Sequence, residues 1–294
     1  MPEARSRGAT RRLAGVTVAV TRPRGDVDDI ADALRAAGAR VVQFPVLEIV
    51  DPEDGGAALA RAVAQLSRFE WVALTSANAA RRLLALVPDP QVLQGVHLAA
   101  VGRATAAVLE ASHLAVDLVP ERASAEGLAE AFPLATSPGA GVLFPASASA
   151  RPTLAHALRA KGWAVEEVVA YRTVPVPAPP ARRVEELEDV VAVVFASPSA
   201  VRAYVSLRAD DGRPLPVPAF VACIGEVTAA AARDAGLRVA AVAAGASGAS
   251  LADALADALA GAPAHAPAHP GAQSCTHALG HASGDGTGTR VRRS

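Results

Sequence analysis

Short apolar runs alternate with amphipathic segments through the middle of the chain. The apolar runs predict strands at Val16–Thr21, Arg40–Val50, Trp71–Thr75, Val96–Val101, Val116–Val119, Gly141–Phe144, Ala164–Thr173, Val190–Phe195, Ala219–Ile224 and Arg238–Val242. The amphipathic segments predict helices at Asp26–Ala37, Ala77–Leu86, Arg103–Ser112, Ala125–Phe132, Arg151–Lys161, Pro198–Leu207, Glu226–Ala235 and Ala249–Ala260. This alternation predicts βα units, and therefore an α/β fold with mostly parallel sheets flanked by helices.

One sequence pattern occurs twice, each time after an apolar run. The segments VGRATAA at 101–107 and IGEVTAA at 224–230 both contain Gly-x-x-Thr-Ala-Ala. In both copies a serine, Ser124 or Ser247, follows the glycine after 22 residues, and a leucine follows that serine after four. An alanine-rich composition does not reproduce such spaced anchors. The chain therefore contains one structural unit built twice.

A second element also repeats. The segment ALRAAG at 33–38 and the segment ALRAKG at 157–162 each follow one apolar run and lead into another. The chain then has the order X–Y–X–Y, where X is strand–helix–strand and Y carries the serine and threonine anchors. This order predicts two similar α/β domains. The spacing leaves open whether the domains follow one another or nest, with the first X completing the last Y.

Hydroxyl residues occupy matched positions where predicted strands end and helices begin. They are Ser76, Thr105, Ser124, Ser197, Thr228 and Ser247. Such residues cap helices, and the carboxyl edge of a parallel sheet is also where α/β proteins bind ligands and free N–H groups favour anions. Capping alone and ligand binding are alternatives for each residue. Together the six predict a cleft for a ligand with several carboxylates or phosphates.

Composition and charge exclude several classes of protein. The 294 residues are 51% apolar and 19% charged, with a formal net charge of −1, so nothing indicates binding to nucleic acid. No apolar run reaches the ~18 residues of a membrane span. The two cysteines, Cys223 and Cys275, form no disulfide framework and indicate a reducing compartment. These features predict a cytoplasmic protein without a membrane or nucleic-acid partner.

Both ends of the chain differ from the middle. Residues 1–12 are rich in arginine, and residues 261–294 contain Cys275 and four histidines but few large apolar side chains. Such segments bury too little apolar surface to offset the entropy of ordering, so both tails are predicted to be disordered. The histidines resemble metal ligands in spacing, but a structural zinc site needs ligands held by a fold. No metal site is predicted.

Common catalytic and cofactor motifs are absent. The sequence has no Gly-x-Gly-x-x-Gly after a strand, no P-loop, no Gly-x-Ser-x-Gly elbow and no Cys-x-x-Cys. His97, His113 and His156 have no neighbouring carboxylate pattern, which favours structural histidines over a general base. If the chain is an enzyme, we expect it to use no cofactor and to work by positioning its substrate.

The order of several short motifs resembles that of one known family, the uroporphyrinogen-III synthases. The resemblance covers roughly residues 15–260 and rests on Thr21-Arg22-Pro23, Pro45, LTSANA, VGRATA, GVLFPAS, Tyr171 in VVAYRTV, FASPSAV and IGEVTA. It implies a nested arrangement, with one domain from 13–46 plus 175–260 and an inserted domain from 48–172. The two domains would be joined by a two-stranded hinge, with the ligand cleft between them.

The resemblance also implies a reaction. It is the cofactor-free closure of the linear tetrapyrrole hydroxymethylbilane with inversion of ring D, through an azafulvene cation and a spiro intermediate that fragments and recloses. Spontaneous closure gives the type I isomer, so the enzyme has to hold one folded conformer. The eight carboxylates of the substrate suit the donor-rich cleft. The expectation is a lyase of tetrapyrrole (haem, sirohaem, cobalamin) biosynthesis, a monomer that contacts hydroxymethylbilane synthase transiently.

Site residues follow from the family pattern one by one. Tyr171 is assigned a proton or hydrogen bond to the departing hydroxyl, with hinge packing and a solvated hydroxyl as the alternative. The residues assigned to substrate carboxylates are Ser76, Thr105, Ser124, Ser197 and Thr228, with Arg22, Arg103 and Arg151 as clamps or, alternatively, as surface arginines. Glu226 departs from the family pattern near the anion site and is expected to point to solvent.

Two rival interpretations compete with the enzyme. A non-catalytic cytoplasmic ligand-binding or regulatory protein would have the same hinge and the same hydroxyl donors. A receiver-like signalling domain would need an acidic pocket at the strand ends, and Asp26, Asp28 and Asp29 come too late after Thr21 to form one. The tyrosine, threonines and strand-end serines at family positions favour the enzyme.

Overall fold

The computed structural model describes residues 11–23 and 29–262, which form two five-stranded sheets. The strands are β1 (Thr17–Val20), β2 (Arg40–Gln43), β3 (Leu47–Val50), β4 (Phe69–Leu74), β5 (His97–Ala100), β6 (Gly141–Ser147), β7 (Ala164–Pro175), β8 (Ala192–Phe195), β9 (Phe220–Cys223) and β10 (Val239–Val242). The helices are α1 (Asp29–Ala36), α2 (Ala57–Ala64), α3 (Ala77–Leu86), α4 (Arg103–Glu110), α5 (Ala125–Ala131), α6 (Thr153–Ala160), α7 (Ala181–Glu185), α8 (Pro198–Ser206), α9 (Glu226–Asp234) and α10 (Gly248–Ala260). Two 3₁₀ helices are Leu66–Arg68 and Pro90–Gly95.

The two sheets differ in which parts of the chain supply their strands. The first sheet is parallel, has the order β10-β9-β8-β1-β2, and draws its strands from 17–43 and 192–242. The second has the order β3-β7-β6-β4-β5, and only its β3–β7 pair is antiparallel. The predicted α/β class with two mostly parallel sheets is confirmed. The boundaries of the nested domains, 13–46 with 175–260 and 48–172, stay a prediction.

The chain passes between the two sheets twice, at residues 44–46 and again after β7. Leu47 pairs with Pro175, so the two crossing strands β3 and β7 lie antiparallel. The backbone N–H of Val176 donates to the carbonyl oxygen of Val46 at 3.1 Å and extends this pairing. A short two-stranded ribbon therefore links the sheets.

Helices cover both faces of each sheet, because successive strand residues point to opposite faces. In the first sheet Val18 and Val20 belong to the core formed with α1 and α10, whereas Ala19 belongs to the core formed with α8 and α9. In the second sheet Val72 packs with α2, α3 and α4, and Ala73 packs with α5 and α6. The central strands are apolar on both faces for this reason, which explains their continuous apolar runs.

Two strand predictions are wrong in detail. The run Arg40–Val50 is divided into β2 and β3 because the chain leaves the first sheet at Pro45, whose ring lacks the N–H that a ladder needs. The run Val116–Val119 forms only an isolated bridge between Leu118 and Ala99. The sequence analysis also missed α2, α7 and both 3₁₀ helices. Helix α2 has glycine, Gly56, at its N-cap position, and its first N–H groups are satisfied by Asp54 from before the helix, whereas α7 has only five residues, so neither has a serine or threonine anchor in the sequence.

The predicted tails fall largely outside the described residues, which exclude 1–10 and 263–294. Arg12, at the end of the predicted N-terminal arm, ion-pairs with Asp257 and lies 3.6 Å from Asp253, both on α10. Across the described ranges, no helix combines the length and the apolarity that crossing a membrane requires.

Candidate active site

Serines cap the four helices whose N-termini were predicted to begin with a serine anchor. These N-cap residues are Ser76 of α3, Ser124 of α5, Ser197 of α8 and Ser247 of α10. Each Oγ accepts a hydrogen bond from the backbone N–H three residues later, at 3.0 to 3.2 Å. Capping is therefore confirmed for these serines. Other N–H groups in the first turn of each helix have no partner within the helix and remain suited to an anion.

The two threonines of the repeated pattern are not helix caps. Gly102 and Gly225 occupy the N-cap positions of α4 and α9, so Thr105 and Thr228 lie three residues further on, inside the first turn. Each threonine is 4% exposed. The capping alternative is therefore wrong for the threonines. Their side chains are buried in the first turn of each helix instead.

A cavity of about 140 Å³ lies at the carboxyl end of the second sheet and brings together Ser76, Ser147, Arg151 and Tyr171. The Tyr171 hydroxyl donates to Ser76 Oγ at 3.0 Å, and the residue is only 7% exposed. The phenol oxygen is thus held by the same serine that caps α3. Tyr171 belongs to β7 and Ser76 follows β4, so this hydrogen bond forms only when the chain is folded.

The polar lining of the smaller cavity continues beyond its tyrosine. Ser147 Oγ, at the end of β6, lies 3.1 Å from Ser149 Oγ. The Arg151 side chain is 77% exposed, and its Nη2 is 3.7 Å from Glu126 Oε1, a loose ion pair. Such a pair restrains the guanidinium weakly in water. The arginine is therefore free to turn toward an anion above the cavity.

A larger cavity, of about 340 Å³, lies at the carboxyl end of the first sheet beside the ribbon. Its lining includes Arg22, Asp29, Ser197 and Ser199, and Thr173 from β7 closes it on the side of the second sheet. Ser197 Oγ and Ser199 Oγ are 3.0 Å apart, close to the 3.1 Å between Ser147 Oγ and Ser149 Oγ. Each sheet therefore has one cavity with an arginine and a pair of hydroxyls at the same edge.

The two cavities contain only some of the predicted site residues. Arg22 and Ser197 line the larger one, and Ser76, Arg151 and Tyr171 line the smaller one. The others, which line neither of these two cavities, are Arg103, Thr105, Ser124 and Thr228.

The sequence analysis missed five polar residues that line the cavities, namely Asp29, Thr75, Ser147, Thr173 and Ser199. The Ser-x-Ser spacing at 147–149 and 197–199 is visible in the sequence and was available as a signal. Asp29 gives no such signal, because its place in the cavity depends on the packing of α1.

A family model described as uroporphyrinogen-III synthase HemD matches residues 28–253, most of the chain. The chain belongs to the uroporphyrinogen-III synthase family. A uroporphyrinogen-III synthase of Synechococcus elongatus is 36% identical over 169 residues, which cover 56% of this chain and 63% of that protein, under two thirds of its length. The chloroplastic uroporphyrinogen-III synthase of Oryza sativa subsp. japonica is 30% identical over 259 residues, covering 81% of this chain and 83% of that protein.

A solved structure shows the same fold. A mutant uroporphyrinogen III synthase from Thermus thermophilus superposes with a TM-score of 0.52 at 20% identity, over 84% of this chain and 99% of that one. These matches confirm the predicted family and the predicted fold class.

Two charged features of this uroporphyrinogen-III synthase family member stand apart from the cavities. Glu226, at the start of α9, is 70% exposed and pairs with Arg233, so it points to solvent as expected. His97 Nδ1 lies 3.2 Å from Asp117 Oδ1, so the expectation of histidines without a carboxylate neighbour is wrong for this residue. His97 begins β5 and is thus at the opposite end of the strand from the cavity edge.

Metal-ligating side chains do not gather in the described part of this family member. Within residues 11–23 and 29–262 no group of three His, Cys, Asp or Glu residues has the geometry of a metal site. The histidines of the predicted C-terminal tail lie outside the described residues. Burial raises the pKa of the Cys223 thiol to about 11, so this thiol stays protonated and unreactive at neutral pH.

Proposed function

We propose that the chain converts hydroxymethylbilane into uroporphyrinogen III without a cofactor. The observation that carries the proposal is the matched pair of cavities, each with an arginine and two hydroxyls at the carboxyl edge of a sheet. Membership of the uroporphyrinogen-III synthase family supports it. Helix N-termini and guanidinium groups at both sheets suit a substrate that carries carboxylates along its whole length.

The reaction begins with loss of the hydroxymethyl oxygen as water, which leaves an azafulvene cation. The substituted carbon of ring D attacks this cation and forms the spiro intermediate, whose fragmentation and reclosure invert the ring. The direct attack that gives the type I isomer needs no enzyme, so the protein acts by holding the conformer in which the substituted carbon is nearer. Carboxylates anchored at two separate sheets hold the two ends of the chain of pyrroles in that conformer.

Tyr171 is the proposed donor to the departing hydroxyl. Its O–H lies in the lining of the smaller cavity and donates to Ser76 Oγ at 3.0 Å, so Tyr171 has to exchange this acceptor for the departing hydroxyl. We assign Ser76 and Ser197 to substrate carboxylates because both cap helices at a cavity edge. Arg22 and Arg151 supply guanidinium groups at the larger and the smaller cavity.

Thr105, Ser124 and Thr228 are assigned to substrate contacts by the family pattern. Arg103 is assigned because a planar guanidinium can clamp a carboxylate. For Thr105 and Thr228, whose residues are 4% exposed, a carboxylate has to reach the helix N-terminus itself to meet the hydroxyl. We further propose a monomer in the cytoplasm that contacts hydroxymethylbilane synthase transiently, and two cysteines without a disulfide framework support that compartment.

Tyr171→Phe is expected to lower kcat by less than the ~100-fold that a full general acid contributes, because the mechanism is mainly positional. The type III isomer should still predominate. Tyr204→Phe is the matched control, since Tyr204 is the other tyrosine of the chain, lies buried and donates to the Pro216 carbonyl away from both cavities. Steady-state rates with hydroxymethylbilane measure the effect. Complete loss of activity in a folded Tyr171→Phe variant would contradict a positional mechanism.

A coupled assay tests the proposed function itself. Hydroxymethylbilane is generated in situ, the purified protein is added, and the oxidised uroporphyrin isomers are separated by chromatography. We expect mainly type III in the presence of the protein and type I in its absence. Type I alone with folded protein would refute the catalytic proposal and leave a non-catalytic ligand-binding or regulatory protein with the same fold.

A further inference from the structure

The larger cavity holds a carboxylate that belongs to the protein. Asp29, the first residue of α1, accepts a hydrogen bond on Oδ1 from Arg22 Nη1 at 2.8 Å. Its other oxygen, Oδ2, accepts one from the backbone N–H of Gly248 at 3.3 Å. Gly248 is the first residue of α10, so Asp29 meets both a guanidinium and a helix N-terminus. These two kinds of donor are the ones that a carboxylate ligand would use.

The backbone holds Asp29 in this position. A Cβ atom at Gly248 would lie 2.2 Å from the Asp29 carbonyl oxygen, so α1 and α10 approach more closely than any larger residue permits. The next residue, Ile30, is buried in the core between these helices. The side chain of Asp29 is therefore presented to the cavity by packed backbone, although the side chain itself is 57% exposed.

We propose that Asp29 is an internal stand-in for a substrate carboxylate. In the unliganded protein Asp29 pairs with Arg22, and this pairing lowers the affinity for substrate. A carboxylate that enters the larger cavity has to displace Asp29 from Arg22. The negative charge of Asp29 also repels it. Ser197 and Ser199 then supply the hydroxyls beside the exchanged anion. The inference rests on the proposed function for the identity of the substrate, but not for the exchange of carboxylates.

The exposure of the pair sets the size of the effect. The Arg22 side chain is 40% exposed and that of Asp29 is 57% exposed, so water screens their attraction. An exposed ion pair of this kind changes a binding constant by about twofold to fivefold. Replacing the Asp29 carboxylate by a substrate carboxylate at Arg22 therefore costs little free energy, as a reversible stand-in requires. A buried pair would hold the guanidinium too firmly to release it.

Asp29→Asn tests the inference because the amide keeps an oxygen for the Gly248 N–H but removes the charge. We expect KM for hydroxymethylbilane to fall about twofold to fivefold with little change in kcat. Asp32→Asn is the matched control. Asp32 lies in the same first turn of α1, pairs with Arg35 at 2.9 Å and does not line the cavity. Both variants change the net charge equally, so a general charge effect appears in both.

A second variant shows whether the effect passes through the guanidinium. In an Arg22→Ala background, Asp29→Asn should change KM by less than it does in the wild type, since no guanidinium remains to be released. A KM for Asp29→Asn that equals or exceeds the KM of Asp32→Asn would overturn the inference, and so would an equal effect with and without Arg22.

A binding measurement separates this inference from the proposed function. Fluorescence titration with uroporphyrin III, which carries the same number of carboxylates as the substrate, gives a Kd that needs no catalysis. We expect a Kd about twofold to fivefold lower for Asp29→Asn than for Asp32→Asn. If the wild type forms no type III product but Asp29→Asn binds the porphyrin more tightly, the stand-in holds and the catalytic proposal fails. If the wild type forms type III product and Asp29→Asn leaves Kd and KM unchanged, the catalytic proposal holds and the stand-in fails.

Discussion

Replacement of Phe195 by alanine is expected to lower the free energy of unfolding by about 3–5 kcal/mol. Phe195 ends β8 and is fully buried, and its ring meets the Tyr204 ring edge-on with centroids 5.3 Å apart. Truncation leaves a cavity that the neighbouring strands cannot close, because their backbones are held in register by the ladder. Urea denaturation followed by far-UV circular dichroism measures the loss as a lower transition midpoint.

Two comparisons make the Phe195→Ala result specific. Val227→Ala changes a side chain of α9 that is 77% exposed and should alter the free energy of unfolding by no more than about 0.5 kcal/mol. Both tryptophans, Trp71 and Trp163, lie in the core of the second sheet, so their fluorescence reports on that part of the protein. A midpoint equal to that of the wild type would show that the first sheet tolerates the cavity, contrary to the packing described here.

Replacement of Gly127 by alanine is expected to destabilise the protein by about 3 kcal/mol, the upper part of the range for overpacking. Alanine in a helix is ordinarily better than glycine by about 1 kcal/mol. At Gly127 the sign reverses, because the added Cβ would lie 2.1 Å from the Arg122 carbonyl oxygen, and a backbone atom cannot turn aside as a side chain does. Helix α5 has to shift, which breaks the cap at Ser124. Tryptophan fluorescence during urea denaturation measures the effect.

Gly95→Ala is the control for Gly127→Ala. No atom lies within 4 Å of the Cβ position at Gly95, and its φ is not positive, so the substitution should change stability by no more than about 0.5 kcal/mol. Equal stability of the two variants would mean that the contact between Gly127 and Arg122 relaxes without cost. That result would remove close approach as the reason for glycine at the start of α5.

The sequence predicted most of the fold because the central strands are apolar on both faces. Helix α3 was predicted with the bounds that the structure has, since Ser76 caps its start and the strand before it ends in the same short motif. The turn at Pro45 was hidden, because apolar residues continue on both sides of it while the chain changes from one sheet to the other. A pattern of hydrophobicity records burial, and it does not record which core the residue is buried in.

The candidate site was predictable where its residues act through local structure or match the family pattern. Ser76 and Ser197 follow apolar runs and precede helical segments, so the sequence predicts both as helix caps. The contact between Tyr171 and Ser76 joins residues 95 positions apart, and Asp29 reaches its cavity through the packing of α1 on α10. Neither arrangement has a periodicity or a motif. Thr105 and Thr228 were assigned to substrate with capping as the alternative, and Gly102 and Gly225 occupy the N-cap positions, which leaves the threonines inside the first helical turn.

The nesting of one sheet within the chain of the other has a consequence for synthesis on the ribosome. All strands of the second sheet exist once residue 175 has been made, whereas the first sheet gains β8 at residue 195 and is complete only when β10 ends at residue 242. At about 5–20 residues per second, β1 and β2 wait roughly 8–30 s for β8 and roughly 10–40 s for the complete sheet. The inserted sheet can therefore form on the ribosome before the first sheet, and the N-terminal strands are the part of the nascent chain that stays exposed for longest.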